Sequence, residues 1–112
     1  MRGARQSRIV LVTCGNLPEA RRIARSVVNK RLAACVNIPL VPIESVYRWK
    51  QKVEKAKEVL LLLKTSTKRL AALEREVKRL HSYEVPEFLV LSVAAGSKDY
   101  LAWLIQSTKA IK

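Results

Sequence analysis

The sequence predicts an α+β fold in which a small antiparallel sheet carries two helices on one face. The chain has 112 residues, which is enough for one domain. Apolar residues make up 49% of it, the share expected of a globular protein. Aliphatic runs and amphipathic stretches follow one another in the order β-α-β-β-α-β, and an extra C-terminal helix comes last. This is the order of the ferredoxin-like fold.

The first strand and the first helix follow from local residue patterns. Arg8–Thr13 is an aliphatic, β-branched run that is typical of a buried strand. Asn16 is a helix-capping residue, and Glu19 stands three places after it, as in a capping box. Apolar residues then recur at helical spacing, so the helix is predicted to end near Lys30 or Arg31.

The middle of the chain predicts a long hairpin. Leu32–Ile38 is a second strand, after which prolines interrupt the pattern. Alternating residues over 43–50 predict an extended arm, and the mostly polar residues 51–57 are predicted to form a turn. The next strand, Glu58–Thr65, is too apolar to face water on either side, so we expect it at the centre of the sheet.

The last third of the chain predicts a helix, a strand and a final short helix. Ser66 or Thr67 is predicted to cap the helix, which ends within the stretch LHSYEVPE (80–87), and Phe88–Ala94 is the strand that follows. Ser97 caps the C-terminal helix. Since two helices cover only one face of the sheet, the other apolar face needs a partner, and another copy of this chain is the expected one.

The charge of the chain favours anionic partners but no particular one. There are 22 Lys and Arg against 9 Asp and Glu, a formal net charge of +13. Residues 1–7 are predicted to be a disordered basic arm, and residues 8–112 the folded domain. No block of five like charges occurs, so we expect no specific nucleic-acid partner. No apolar run is long enough for a membrane span or a secretory signal, so we expect a cytoplasmic protein without a membrane partner.

Three residues are candidate ligands for copper or zinc, which favour sulfur and imidazole donors. They are Cys14, Cys35 and His81, the last being the only histidine. No C-x-x-C or H-x-x-x-H spacing supports them. The alternative is structural, with both cysteines as small buried apolar residues and His81 at the end of a helix, close to its last carbonyl groups.

Five blocks of the sequence, in their order and separation, resemble the CutA divalent-cation-tolerance family. The blocks are KRLAACVNI (30–38), SVYRW (45–49), EVLLLLKT (58–65), LHSYEVPE (80–87) and DYLAWL (99–104). The resemblance implies a ferredoxin-like homotrimer connected with divalent-cation tolerance, with clefts between subunits and bound copper(II) or other divalent ions. It matches Cys35 and His81 to the family's copper ligands, with Cys14 displaced by about one position. Ser82 departs from the family's usual proline, and Lys50 and Gln51 stand where a glycine is usual.

Four further residues are candidates for a ligand cleft between subunits. They are Tyr83, Glu87, Lys64 and Trp49. The His81 imidazole would join the Tyr83 phenol and the Glu87 carboxylate there, and these three groups together suit a small polar ligand. Packing at the core or an interface is the alternative for the aromatic side chains. No Ser-His-Asp or paired-carboxylate pattern accompanies them, so we expect a binding protein and not an enzyme.

Two other functions share the predicted element order. A P-II-like signalling trimer would bind a nucleotide between its subunits, but no glycine-rich phosphate loop is present. An RNA-binding module would need aromatic residues on its two central strands, and neither Arg8–Thr13 nor Glu58–Thr65 contains one. Both remain alternatives to the metal-tolerance function.

Overall fold

The computed structural model describes residues 1–110. Its strands are β1 (Arg2–Gly3), β2 (Ser7–Cys14), β3 (Cys35–Asn37), β4 (Ile43–Trp49), β5 (Lys52–Ser66), β6 (Leu89–Ser92) and β7 (Ala95–Gly96). Its helices are α1 (Leu17–Asn29), α2 (Leu70–Leu80) and α3 (Lys98–Ser107), and a 3₁₀ turn over Thr67–Arg69 leads into α2. The α+β class and the three helices are as predicted. The last two residues of the predicted domain, 111 and 112, lie outside the described residues.

One antiparallel sheet organises the chain. Its strands lie side by side in the order β3-β5-β2-β6, and β4 pairs with the outer part of β5. β2 and β5 pair along their full common length, from Ser7 opposite Ser66 to Cys14 opposite Val59. The two strands predicted to be most apolar are therefore at the centre of the sheet, as expected.

The register of these strands separates two faces of the sheet. Val10 and Val12 lie opposite Leu63 and Leu61, and all four are fully buried beneath α1 and α2. Alternate residues, such as Leu62, point to the other face and stay partly exposed. The third helix, α3, covers one end of that second face. The rest of this face, which we call the bare face, is not covered by any part of residues 1–110. Its central apolar residues are Ile9, Leu11, Leu60, Leu62, Leu89 and Leu91.

A buried carboxylate joins the two helices of the covered face. Glu76 of α2 accepts hydrogen bonds from the Ser26 hydroxyl of α1 and from the Lys30 ammonium, the latter at 2.9 Å. The Arg79 guanidinium donates two more, at 2.9 and 2.8 Å. These donors, Arg79 first, hold the pKa of the Glu76 carboxyl far below its ordinary value. The ionised carboxylate thus ties α1 to α2.

The hairpin of β4 and β5 is longer than the sequence predicted. Residues 51–57 were expected to form a polar turn, but β5 begins at Lys52 and pairs with β4 over residues 52–58. The turn itself consists of Lys50 and Gln51, whose φ angles are 49° and 70°. Two consecutive residues of positive φ match the tight turn that suits the twist of a hairpin, although neither is a glycine.

The N-terminal segment is ordered, in contrast to the predicted disordered arm of residues 1–7. β1 pairs antiparallel with β7, and the Ala4 amide donates to the Ala94 carbonyl at 3.3 Å. Ala4 and Ser7 are buried. Composition alone suggested disorder because the segment is basic, but its backbone finds partners next to α3.

Candidate metal cluster and adjacent cleft

His81 is held in a fixed orientation where α2 ends. Its side chain is fully buried, although the residue follows the last helical turn. The ring Nε2 lies 2.7 Å from the Thr13 carbonyl oxygen, which can only accept, so Nε2 carries the proton. The ring Nδ1 accepts from the Tyr83 amide at 3.1 Å. An imidazole that donates one N–H to a backbone carbonyl is a common arrangement for a metal-binding histidine, because it fixes the ring.

Two other potential ligands lie beside His81. Cys14 ends β2 and is fully buried, with its Sγ 3.8 Å from His81 Nε2. Glu19 lies in the first turn of α1, where its amide donates to the Asn16 side chain at 2.8 Å, as the capping pattern predicted. Its Oε2 is 3.6 Å from His81 Nδ1. One ligand atom from each of these three residues lies within 4.8 Å of the other two.

The electrostatics of this cluster favour an added positive charge. Glu19 Oε2 is buried and has no hydrogen-bond partner among residues 1–110, which is costly for a carboxylate. Burial, and then the negative charge of Glu19, raise the pKa of the Cys14 thiol to about 12. The donor set of sulfur, nitrogen and oxygen suits a zinc or copper ion, and the unpartnered oxygen fits such an ion too. Binding through Cys14 would release its proton.

Cys35 does not join this cluster within one chain. It lies opposite Lys64 in the pairing of β3 with β5, whereas Cys14 lies opposite Val59. Lys64 and Val59 are five residues apart along β5, about 17 Å at strand spacing, and they point to opposite faces. The predicted grouping of Cys35 with Cys14 and His81 is therefore not formed inside the chain. Glu19 takes the third place instead.

A cleft of about 560 Å³ opens beside the cluster. Three of the four predicted cleft residues, Trp49, Tyr83 and Glu87, line it together. The fourth, Lys64, lies elsewhere, with its Nζ 5.5 Å from the centre of the Tyr100 ring. Sequence reasoning assigned no cleft role to Glu58 or Tyr47, which also line the cleft. Glu58 opens the predicted strand Glu58–Thr65, and nothing in the sequence indicates that a loop will fold over it.

Glu58 anchors the loop between α2 and β6, which forms one side of this cleft. The Tyr83 hydroxyl donates to Glu58 Oε2 at 2.8 Å. Burial, and then this bond to a carboxylate, raise the pKa of the Tyr83 phenol well above its ordinary value. Burial, and then the charge of Glu58, also raise the pKa of the Glu87 carboxyl. The cleft is therefore a place where additional negative charge is disfavoured.

The fold and the donor set describe a small α+β protein with a candidate site for a soft or borderline metal ion. Residues 8–107 match the sequence profile of the family described as CutA1 divalent ion tolerance protein, and the chain belongs to that family. The resemblance seen in the sequence is thereby confirmed. Among residues 1–110, no helix has the length and hydrophobicity needed to cross a bilayer.

Individual relatives agree with this family. The chain is 48% identical over 101 residues to "Protein CutA" of Mus musculus. This alignment covers 89% of this chain and 56% of the mouse protein. It is 46% identical over 101 residues to "Divalent-cation tolerance protein CutA" of Thermus thermophilus. This alignment covers 89% of this chain and 96% of the Thermus protein. A solved structure of the Thermus thermophilus divalent cation tolerance protein superposes with a TM-score of 0.89 at 44% identity, over 92% of this chain and 99% of that one. The chain thus spans little more than half of the mouse relative.

Proposed function

We propose that this chain is a divalent-cation tolerance protein that works by binding and not by catalysis. In this proposal it assembles as a homotrimer and takes up copper(II), or a divalent ion of similar preference, at Cys14, Glu19 and His81. A small ligand binds in the adjacent cleft, near the contacts between subunits. The family assignment supports the tolerance function, and it lends no support to the P-II-like or RNA-binding alternatives. A cytoplasmic location stays a prediction from the sequence.

The observation that carries the metal proposal is the unpartnered Oε2 of Glu19 beside a thiol and an imidazole. Each group alone has an ordinary structural explanation. Together they bring three different donor atoms within 4.8 Å of one another in a buried position where one carboxylate oxygen has no hydrogen-bond partner. A divalent ion would satisfy the carboxylate, replace the thiol proton and take the place of the Tyr83 amide at His81 Nδ1. The Nε2 bond to Thr13 would keep the ring in place.

Metal titration of single variants tests this proposal. We expect Cys14→Ala and His81→Ala each to weaken copper(II) binding at least about tenfold, measured by competition with a chelator. Cobalt(II) should give a sulfur-to-metal absorption band that Cys14→Ala abolishes. Because Cys14 loses a proton on binding, affinity should rise with pH, by up to about tenfold for each pH unit.

Cys35→Ala is the matched control, since Cys35 is the other cysteine and lies on the opposite face. It should leave copper affinity and the cobalt band unchanged. Equal loss in Cys35→Ala and Cys14→Ala would show that the site is shared between subunits as the family resemblance implies. Unchanged copper(II) affinity in both Cys14→Ala and His81→Ala would rule out this metal site.

A further inference from the structure

We propose that the cleft beside the cluster binds a small organic cation of the ammonium class, between the aromatic rings of Tyr47, Trp49 and Tyr83 and the carboxylates around them. This inference gives a chemical class to the small ligand of the proposed function and rests on that part of it. It does not depend on a metal ion at Cys14.

The charge of the cleft is opposite to that of the chain. The protein has 22 Lys and Arg and only 9 Asp and Glu. Three of those nine carboxylates, on Glu58, Glu84 and Glu87, line this cleft, and none of its ten lining residues is a lysine or an arginine. A concave surface lined by one sign of charge concentrates ligands of the other sign. A cation is thus the ligand that this cleft favours.

The cleft also gathers aromatic rings. Three of the chain's six Phe, Trp and Tyr residues line it, and each keeps between 36% and 43% of its surface exposed. Aromatic faces attract ammonium groups through their quadrupole. The Lys50 ammonium already lies 5.9 Å from the centre of the Trp49 ring, so this ring is accessible to a cation. The bond from Tyr83 to Glu58 holds a second ring in place.

The size and the donor arrangement point to an organic cation and not to a bare metal ion. Among residues 1–110, the one group of three close metal donors is Cys14, Glu19 and His81, so the cleft carboxylates do not converge on a point. A volume of about 560 Å³ is in the range of small-molecule sites. The apolar side chains of Val46 and Val85 suit alkyl groups on the ligand.

A matched pair of probes tests the charge directly. Choline and its neutral carbon analogue, 3,3-dimethylbutan-1-ol, have nearly the same shape, and only choline carries a charge. We expect the assembled wild-type protein to bind choline at least about fivefold more tightly than the neutral alcohol, by saturation-transfer NMR and calorimetry. Trp49→Leu and Glu87→Gln should each weaken choline binding about two- to fivefold.

Trp103→Leu is the control, because Trp103 is a similarly exposed tryptophan on α3 outside the cleft. It should bind choline as the wild type does. Equal binding of the two probes, or no binding of either, overturns the proposal. Cys14→Ala separates it from the metal proposal: loss of copper with retained choline binding supports both, whereas wild-type copper binding without choline binding leaves only the metal site.

Discussion

At the scale of single residues, Cys14 and Cys35 are the same residue type in different environments. Both are predicted from the sequence as soft metal ligands, but only Cys14 is fully buried, with a thiol pKa of about 12 against an ordinary 9.0. The thiolate is the reactive form of cysteine. In a Cys35→Ser variant at neutral pH, we therefore expect the remaining thiol to react with a disulfide reagent at least about tenfold more slowly than free cysteine.

The comparison variant is Cys14→Ser, which keeps the partly exposed Cys35 and should react in the native state. Denaturant should remove the difference between the two variants, as measured by the absorbance of the released thiol. Rapid reaction of native Cys35→Ser would contradict the buried, protonated state of Cys14.

Two of the three residues in the cluster were predicted as metal ligands from the sequence, and the third was not. Residue chemistry and the family resemblance together predicted His81 as a metal ligand, and Cys14 with less support. Glu19 was predicted only as a partner in helix capping, because a carboxylate three places after Asn16 is fully explained by that role. It lies beside Cys14 and His81 because the first turn of α1 is packed against the ends of β2 and α2. Local sequence does not contain that juxtaposition.

At the scale of elements, the Glu76 network predicts a pH-dependent link between α1 and α2. The pKa of Glu76 is lowered from an ordinary 4.5, so its stabilising effect is present above that value and is lost as pH falls below it. We expect Glu76→Gln to lower the free energy of unfolding at pH 7 by about 1 kcal/mol, a modest value because Lys30 and Arg79 are exposed.

Urea unfolding of wild type and variant at pH 7 and near pH 3 measures this difference. The gap between them should be clear at pH 7 and shrink at the lower pH. Glu74→Gln is the control, because Glu74 pairs with Lys78 on the exposed side of the same helix and should cost little at either pH. An effect of Glu76→Gln equal to that of Glu74→Gln would contradict the network.

The elements also show where sequence patterns succeed and fail. Both ends of α1 and the C-terminal end of α2 were predicted closely, because capping residues and helical spacing are local signals. The predicted cap of α2 at Ser66 or Thr67 was wrong, since a 3₁₀ turn precedes this helix and Ser66 makes no side-chain capping bond. Residues 51–57 were wrongly predicted as a turn because their composition is polar. Residues 52–57 form a strand because β4 provides a partner for each of them, while Lys50 and Gln51 form the turn with positive φ. Pairing with the neighbouring strand of the hairpin outweighs local composition here.

At the scale of the whole molecule, the bare face predicts assembly. Ile9 and Leu91 lie opposite each other there, and Leu91 is 44% exposed. The sequence indicated this face, since Glu58–Thr65 is apolar on both sides, but the number of subunits came from the family resemblance. A contiguous apolar surface of this kind is typical of an interface between subunits. We therefore expect the wild type to scatter light as a trimer at micromolar concentration.

Leu91→Glu should convert that trimer to a folded monomer, because a charge placed on the bare face would be buried without a partner in the assembly. Val28→Glu is the matched control: Val28 is 41% exposed, but it lies on α1, on the other side of the sheet. Circular dichroism should show that both variants keep their helices. A monomeric wild type would rule out the predicted trimer. A Leu91→Glu variant that stays trimeric would show that the interface lies elsewhere. Copper affinity of the monomer then decides whether Cys14, Glu19 and His81 bind the ion within one chain, as their spacing indicates.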